Sequence, residues 1–188
     1  SAAAKFVQGS FQTMMPIVVV QAGGTEAQGA LVLTAYLVGQ AGGSLMGGML
    51  ADRVDRRALL FTLTLASLPA HLLAVWLAPG SPLGLATAAL AGLLNLAVTP
   101  PVVIMAQEML PGGAALGSSI AMGLAWAIGS AFVLGTGALG DAVGPRAAAL
   151  VVMPAILLGT VLALHPALRN YRRPVAGAAR DKGAAASA

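Results

Sequence analysis

The chain has 188 residues, of which 58% are hydrophobic and 9% are charged, and its mean hydropathy is +0.87. Because a globular domain carries about 25% charged residues, this composition excludes a water-soluble surface and predicts a membrane protein. The net charge of +4 does not indicate nucleic-acid binding, since the cations lie at segment ends and not on one face. The absence of cysteine excludes disulfides and thiolate metal sites, and no metal or other cofactor is predicted.

Six apolar segments approach the length of about 20 residues that a helix needs to cross a bilayer about 30 Å thick. The first is the least apolar, because Lys5 precedes it and three glutamines dilute it. Abundant glycine and alanine favour close approach between the predicted helices. The sequence therefore predicts an all-α membrane protein whose spans cover residues 6–22, 28–50, 58–77, 82–105, 114–139 and 147–165.

The segments define a transmembrane unit, residues 1–166, followed by a basic tail, residues 167–188, that is predicted to be disordered because it lacks apolar periodicity. Since the first residue is Ser1, the chain is predicted to be a piece of a longer protein or a processed form.

The charged run GGMLADRVDRR, residues 47–57, separates the second and third segments. If this turn faces the cytoplasm, Arg146 is the only cation on the opposite side. Cytoplasmic loops carry an excess of Lys and Arg, so both termini are predicted to be cytoplasmic. No Lys or Arg is expected in the middle of a span. The predicted cytoplasmic cations are Lys5, Arg53, Arg56, Arg57, Arg169, Arg172, Arg173, Arg180 and Lys182.

An internal repeat relates residues 48–58 to residues 137–147 at a constant offset of 89 residues. Gly, Leu, Asp, Val, Arg and Ala recur at equivalent positions in the two copies. Three predicted helices separate the copies, which places them on opposite membrane faces, as in an inverted 3+3 repeat. The alternative is that Gly-x-Leu-x-Asp is a common ending of membrane helices.

The charged turn is a candidate cytoplasmic gate. Asp52 is predicted to pair with a neighbouring arginine, or to face the N-terminus of the fifth helix near Ala114. Glu108, in the next cytoplasmic turn, is predicted to pair with Arg53 or Arg56. Topological anchoring for the arginines, and a solvated acid for Glu108, are the alternatives. The predicted gate residues are Gly48, Asp52, Arg53, Arg56, Arg57, Gln107 and Glu108.

Polar residues within the spans are candidates for a substrate path. Gln8 and Gln12 share a helix face at i, i+4 spacing, and three further candidates, Tyr36, Asn95 and Trp126, fall near the middle of other spans. A hydrogen bond between neighbouring helices is the alternative for each of them, and it is the expected role of His71. If transport is coupled to protons, the titrating group is predicted to be His71, an interfacial carboxylate or a group outside this chain.

Residues 48–57 (GMLADRVDRR) resemble the loop signature of the major facilitator superfamily of secondary transporters. Residues 106–112 (AQEMLPG), together with Ser118 and residues 123–129 (GLAWAIG), are similar to the C-terminal six-helix half of its fosmidomycin-resistance branch. Three positions depart from the pattern: Asp55 and Ser119 stand where glycine is usual, and Gly113 where the branch often has arginine.

This resemblance implies a proton-driven antiporter of the bacterial inner membrane that exports small anionic drugs such as phosphonates and confers antibiotic resistance. The fold implied is one half of a twelve-helix major facilitator protein. The implied partners are a small-molecule substrate, protons, the lipid bilayer, and either a missing N-terminal six-helix half or a second copy of the chain.

Other functions compatible with the sequence are an organic-anion or nutrient importer of the same fold, a passive membrane scaffold, and an intramembrane serine protease using Ser44 and His165. The protease is disfavoured because Ser44 lacks a nucleophile motif, so the protein is not expected to be an enzyme. Gly123 is expected to pack against a neighbouring helix, so that leucine there would disturb the fifth helix.

Overall fold

The computed structural model describes residues 2–77, 80–109 and 113–166, and this part of the chain is helical without a strand. The six predicted segments correspond one to one to its helices, whose ends differ from the predicted ends by at most four residues. The predicted disordered tail lies outside the described residues. The helices are α1 (Ala2–Gln21), α2 (Glu26–Ala51), α3 (Arg56–Trp76), α4 (Pro82–Met109), α5 (Gly113–Val143) and α6 (Pro145–Ala163).

Five of these helices, α2 to α6, are long and apolar enough to cross a membrane. The exception is α1, the segment that the sequence predicts to be the least apolar. Its 20 residues nevertheless contribute ten buried side chains and pack against α2, α5 and α6. Helix α1 is therefore an internal member of the bundle, not a peripheral segment.

Local sequence explains where several helices begin. Thr25 and Gln28 form a capping box at the start of α2: the Thr25 hydroxyl accepts from the Gln28 backbone N–H at 3.2 Å, and Gln28 Oε1 accepts from Thr25 at 2.9 Å. The preceding Gly23 has φ = 86°, which a residue with a Cβ rarely adopts. The Asp55 carboxylate caps α3 by accepting from the backbone N–H groups of Arg57 and Ala58 at 2.9 and 3.0 Å. Asp55, which stands where glycine is usual, therefore has a structural role.

Three of the helices are interrupted. Helix α4 has a turn at Val98, directly before Thr99 and the pair Pro100-Pro101, and proline is a common cause of such interruptions. Pro154 lies in a 3₁₀ segment of α6, Met153–Ile156. Helix α5 contains a π-helical segment, Ser119–Leu124, that is not predicted from the sequence. Such segments are frequent at functional sites.

The closest helix pair is α2 with α4, which run parallel. Three glycines on α2, spaced by four residues, lie so close to α4 that an added Cβ would overlap a backbone carbonyl group of α4. Small residues at this spacing allow backbones to approach closely in a membrane. The pairs are Gly39 with Ala89, Gly43 with Leu93, and Gly47 with Ala97, and Gly92 of α4 meets the Tyr36 carbonyl in return.

The two copies of the repeat lie at opposite ends of the bundle, as an inverted 3+3 repeat requires. At the end that carries residues 51–57, here called the arginine end, Arg57 donates to the carbonyl groups of Ala163 and Leu164 at the C-terminus of α6, both at 2.6 Å. At the opposite end, Arg146 donates to the Trp76 carbonyl at the C-terminus of α3, at 2.9 Å. Arg57 and Arg146 occupy equivalent repeat positions, so each arginine caps the helix that carries the other.

We expect Arg57→Met to lower the free energy of unfolding by about 1.5–3 kcal/mol, since hydrogen bonds to charged groups have net values in this range. A smaller loss is expected for Arg146→Met, because Arg146 is exposed and makes one such bond. Thermal unfolding of the purified protein in detergent measures both. Arg53→Met, at an exposed position of the same turn, is the control, and an equal loss there would contradict the capping role.

Candidate functional site

Lys5 lies at mid-depth in the bundle and is only 5% exposed. Its Nζ donates to Gln8 Oε1 at 3.2 Å and lies 4.8 Å from the ring centre of Trp126, a cation–π distance. Trp126 is near the midpoint of α5, and the preceding Ala4 carbonyl accepts from Asn95 Nδ2, near the midpoint of α4, at 3.3 Å. The expectations that Lys5 is a cytoplasmic loop cation and that no span contains a cation are therefore wrong.

Glutamine and asparagine side chains extend this site between α1, α2 and α4. Gln8 Nε2 donates to Gln40 Oε1 at 3.4 Å, which links Lys5 through Gln8 to the middle of α2. Two buried polar atoms, Gln40 Nε2 and Asn95 Oδ1, have no hydrogen-bond partner in the described part of the chain. We refer to Lys5, Gln8, Gln40, Asn95 and Trp126 as the polar cluster.

No carboxylate compensates the charge of the polar cluster within the described residues. Their five carboxylates lie in the first or last turn of a helix or in a turn between helices, and the single ion pair among them joins Arg56 to Glu108 at the arginine end. A buried ammonium group without a counter-charge is costly. The five acids are Glu26, Asp52, Asp55, Glu108 and Asp141.

The structure brings Gln8, Asn95 and Trp126 together, leaves Gln12 apart from them, and places Tyr36 at the edge of the polar cluster, where its hydroxyl lies beside the Gln40 side chain. Gln12 is partly exposed and has no side-chain hydrogen bond within the described residues. Tyr36 is fully buried, stacks on Phe11 with ring centres 4.4 Å apart, and lies within the apolar core.

His71 forms the expected bond between helices. Its Nδ1 lies 2.7 Å from the Ser67 carbonyl oxygen, which only accepts, so this nitrogen carries a proton. Its Nε2 lies 3.3 Å from the Tyr36 hydroxyl on α2. The ring is fully buried and makes an edge contact with Phe11, so His71 ties α3 to α2 and α1 within the core.

At the arginine end, Arg56 is 2% exposed and its Nη1 lies 2.8 Å from Glu108 Oε1 on α4. Arg56 Nε also donates to the Ala51 carbonyl at 3.3 Å. The expected pairing of Glu108 with Arg56 is thus present, and both residues belong to the same six-helix unit. Gln107 Nε2 donates to Ser118 Oγ at 2.7 Å, which joins α4 to α5 beside this pair.

Other members of the predicted gate are less constrained. Asp52 and Arg53 are exposed after the end of α2, and neither makes an ion pair within the described residues. A Cβ added to Gly48 would meet nothing within 4 Å, so the close contact in this motif belongs to Gly47. Gly123 is likewise open, and its expected packing against a neighbouring helix is wrong for the described residues.

Sequence reasoning missed Lys5 and Gln40 of the polar cluster. Lys5 is one residue outside the predicted first span, so it is counted with the loop cations. Gln40 is a polar residue in the middle of an apolar span, four residues after Tyr36. That position is a signal of the same kind that identifies Asn95, and it could have been used.

An apolar cavity of about 220 Å³ lies between α3, α4 and α6 near the arginine end. Apart from Thr64, the residues that line it carry apolar side chains, two of them methionine thioethers, or no side chain. The Thr64 hydroxyl already bonds to Thr160 at 2.8 Å. The cavity therefore offers no free polar group for recognising a substrate, in contrast to the polar cluster.

Comparisons with known proteins agree with this architecture. Residues 1–187 match the Major Facilitator Superfamily. The chain is 32% identical over 139 residues to YfnC, an uncharacterized MFS-type transporter of Bacillus subtilis (strain 168), and the match covers 73% of this chain and 33% of YfnC. Its fold is similar, with a TM-score of 0.69 and 22% identity, to a crystal structure of the peptide transporter POT (E310Q mutant) in complex with alafosfalin, over 98% of this chain and 42% of that one. The chain thus spans less than half the length of either protein, and it belongs to the major facilitator superfamily of membrane transporters.

Proposed function

We propose that this chain is the C-terminal six-helix half of a twelve-helix secondary transporter of the fosmidomycin-resistance type. In this proposal the protein exports a small anionic drug or metabolite across the bacterial inner membrane, in exchange for protons, by alternating access. The substrate binds near the bilayer midplane between two six-helix units.

The observation that carries this proposal is the position of the polar cluster. Polar side chains at mid-depth in a membrane bundle are costly and mark substrate or ion pathways. In this bundle Lys5 and three amide side chains meet there, whereas the carboxylates of the described residues lie at helix ends. A cationic site at this depth suits an anionic substrate.

The exposed apolar surfaces of two helices favour a second six-helix unit that packs against this one. Helices α5 and α2 bury the smallest shares of their most apolar stretches, 22% and 33%, compared with 50% for α3. Trp126 of the polar cluster lies on α5 and is 41% exposed. A missing N-terminal half, or a second copy of the chain, that covered α2 and α5 would also close the polar cluster from that side.

Residues of the arginine end support both the proposed fosmidomycin-resistance branch and the proposed orientation in the membrane. The Gln107–Ser118 hydrogen bond joins two residues of the motif that resembles the fosmidomycin-resistance branch. Three of the described arginines lie at this end and one, Arg146, at the other, which favours a cytoplasmic arginine end.

The transport proposal is tested with the full-length protein in proteoliposomes. Fosmidomycin is loaded on one side of the membrane at neutral pH, and the other side is made acidic, so that protons flow toward the fosmidomycin. Fosmidomycin should then move in the direction opposite to the protons. Collapse of the proton gradient by an ionophore should stop net movement. If fosmidomycin moved with the protons when the gradient was reversed, an importer would be favoured. No movement with either direction of the proton gradient would reject this substrate. An intact mass near twice 18.5 kDa for the native chain would identify the second unit as part of the same polypeptide.

For the gate, we expect Asp52→Asn to reduce transport strongly without lowering expression or stability. Asp52 is exposed and has no ion pair within the described residues, so its carboxylate is available to the N-terminus of α5 or to the second unit when the arginine end closes. The measurement is initial export rate beside protein level in the membrane. Export at the wild-type rate would count against a gate role.

A further inference from the structure

We infer that Lys5 is the anchor for the anionic group of the transported molecule, and that Asn95 and Gln40 complete its binding site. The inference rests on the proposed transport of a small anion and assigns the residues that hold it. The substrate class is a molecule with a carboxylate, phosphonate or phosphate group and a nearby hydroxyl or N–H donor.

The charge of Lys5 is not compensated by any acid within the described residues. Its Nζ has three protons to donate, and the structure provides one hydrogen-bond acceptor, Gln8 Oε1, and the face of Trp126. Gln8 is a neutral amide, and the described acids lie at helix ends. An anion bound at Nζ would supply the missing charge and further acceptors.

Two buried amide side chains beside Lys5 have hydrogen-bonding capacity to spare. Asn95 is 1% exposed, yet its Oδ1 lacks a partner within the described residues; Gln40 is 5% exposed, and its Nε2 makes no hydrogen bond of good geometry there, although the side chain lies beside the Tyr36 hydroxyl. Buried polar groups are almost always hydrogen-bonded, and each exception requires an explanation. Gln40 Nε2 can donate to an anionic oxygen, whereas Asn95 Oδ1 can accept from a hydroxyl or N–H group of the same molecule.

Trp126 controls access to Lys5 in this proposal. Trp126 covers Lys5 from α5 and is itself 41% exposed. It follows the π-helical segment Ser119–Leu124 by two residues. A change in this segment would rotate or shift Trp126 and open Lys5 to the space beside α5. Trp126 is therefore placed to act as a movable cover over the anion.

The test is ligand binding to the full-length protein in detergent, with fosmidomycin as the first probe. We expect Lys5→Met, which keeps the length of the side chain but removes its charge, to weaken binding at least about tenfold, as expected for a hydrogen bond to a charged group. Lys5→Arg should retain most of the affinity. Arg146→Gln is the matched control, since Arg146 also lies over a tryptophan, Trp76, at 5.5 Å, but at the exposed end of the bundle. Its affinity should not change.

Thermal stability without ligand separates this site from a structural ion pair. If Lys5 awaits a substrate, Lys5→Met should leave the melting temperature unchanged or raise it, because an uncompensated buried charge is removed. A large fall in the melting temperature would show that a carboxylate of the second unit already pairs with Lys5, and it would overturn the inference. Unchanged affinity in Lys5→Met would overturn it as well.

Failure of the inference and failure of the proposed function are distinguishable. If the wild-type protein exports fosmidomycin and Lys5→Met does so with equal affinity, the function stands and the anchor is rejected. If the wild-type protein does not bind fosmidomycin, the series is repeated with malonate and inorganic phosphate. Binding of either that depends on Lys5 supports the anchor without the phosphonate substrate, and the absence of any such binding rejects it.

Discussion

Replacing Gly43 with alanine is expected to lower the stability of the protein sharply, although the change adds a single methyl group. A Cβ at Gly43 would overlap the carbonyl group of Leu93 on α4. This obstacle is backbone, so it cannot turn away as a flexible side chain would. Helices α2 and α4 would have to separate along their whole contact, and overpacking of this kind costs about 1–3 kcal/mol or more. Thermal unfolding of the purified protein in detergent measures the loss.

Gly42 provides a control one residue earlier in the same helix. A Cβ there would meet only the Leu93 side chain, at 4.0 Å, which is an ordinary van der Waals contact. Alanine is the better helix former by about 0.8–1 kcal/mol in soluble hosts, so Gly42→Ala should leave the stability unchanged or raise it. If the two variants lost equal stability, helix flexibility and not the contact between α2 and α4 would explain the glycines.

The contrast between these two glycines shows what the sequence determines and what it leaves open. Composition predicts close packing of small residues, and the spacing of Gly39, Gly43 and Gly47 by four residues fits one helix face. Which of the neighbouring glycines faces a partner depends on the rotation of each helix. For this reason Gly48 and Gly123 were expected to matter, whereas the close contacts belong to Gly47, Gly117 and Gly129.

The helices themselves follow from local signals. Apolar runs of sufficient length, separated by turn residues, define all six, and the echo of residues 48–58 at residues 137–147 predicts the inverted arrangement. The reciprocal capping by Arg57 and Arg146 gives that echo a physical basis, because the same arginine position meets the end of a helix from the other copy.

The depth of a residue within the bundle is the property that the sequence predicts least well. Lys5 precedes an apolar run, and hydropathy alone assigns such a cation to a loop. In the folded bundle the position of α1 relative to α4 and α5 places Lys5 beside Trp126 and next to the residue that binds Asn95. That relation depends on packing between helices far apart in sequence. The π-helical segment of α5 is also absent from local signals, and it lies next to Gly117, where an added Cβ would be 2.6 Å from Gln107 Cα of α4.

The pairing of Arg56 with Glu108 leads to the second large effect. Arg56 is 2% exposed, so removing its partner leaves a buried charge without compensation. Breaking a buried ion pair in this way costs about 3–5 kcal/mol. Because the Glu108 side chain is 32% exposed, the loss of stability in Glu108→Gln should lie near or below the lower limit of that range. We therefore expect a loss of about 2–3 kcal/mol in the free energy of unfolding for Glu108→Gln, measured by thermal unfolding in detergent.

The double variant Arg56→Met with Glu108→Met is the informative comparison. Apolar replacement of both partners is often neutral for stability, so the double variant should recover most of what Glu108→Gln loses. Arg53→Gln, at an exposed position without an ion pair within the described residues, should have no effect. A double variant as unstable as Glu108→Gln would show that Arg56 stabilises the fold mainly through the Ala51 carbonyl and not through the ion pair.

The same variants separate a structural pair from a gate. Arg56 and Glu108 lie on α3 and α4 of one six-helix unit, so a rigid-body movement of two units against each other would leave their contact intact. A stable double variant should therefore transport at close to the wild-type rate, whereas Asp52→Asn should be stable but slow. If the double variant were stable and inactive, the ion pair would have to break or re-form during transport, and the arginine end would rearrange within this unit as α3 and α4 move apart.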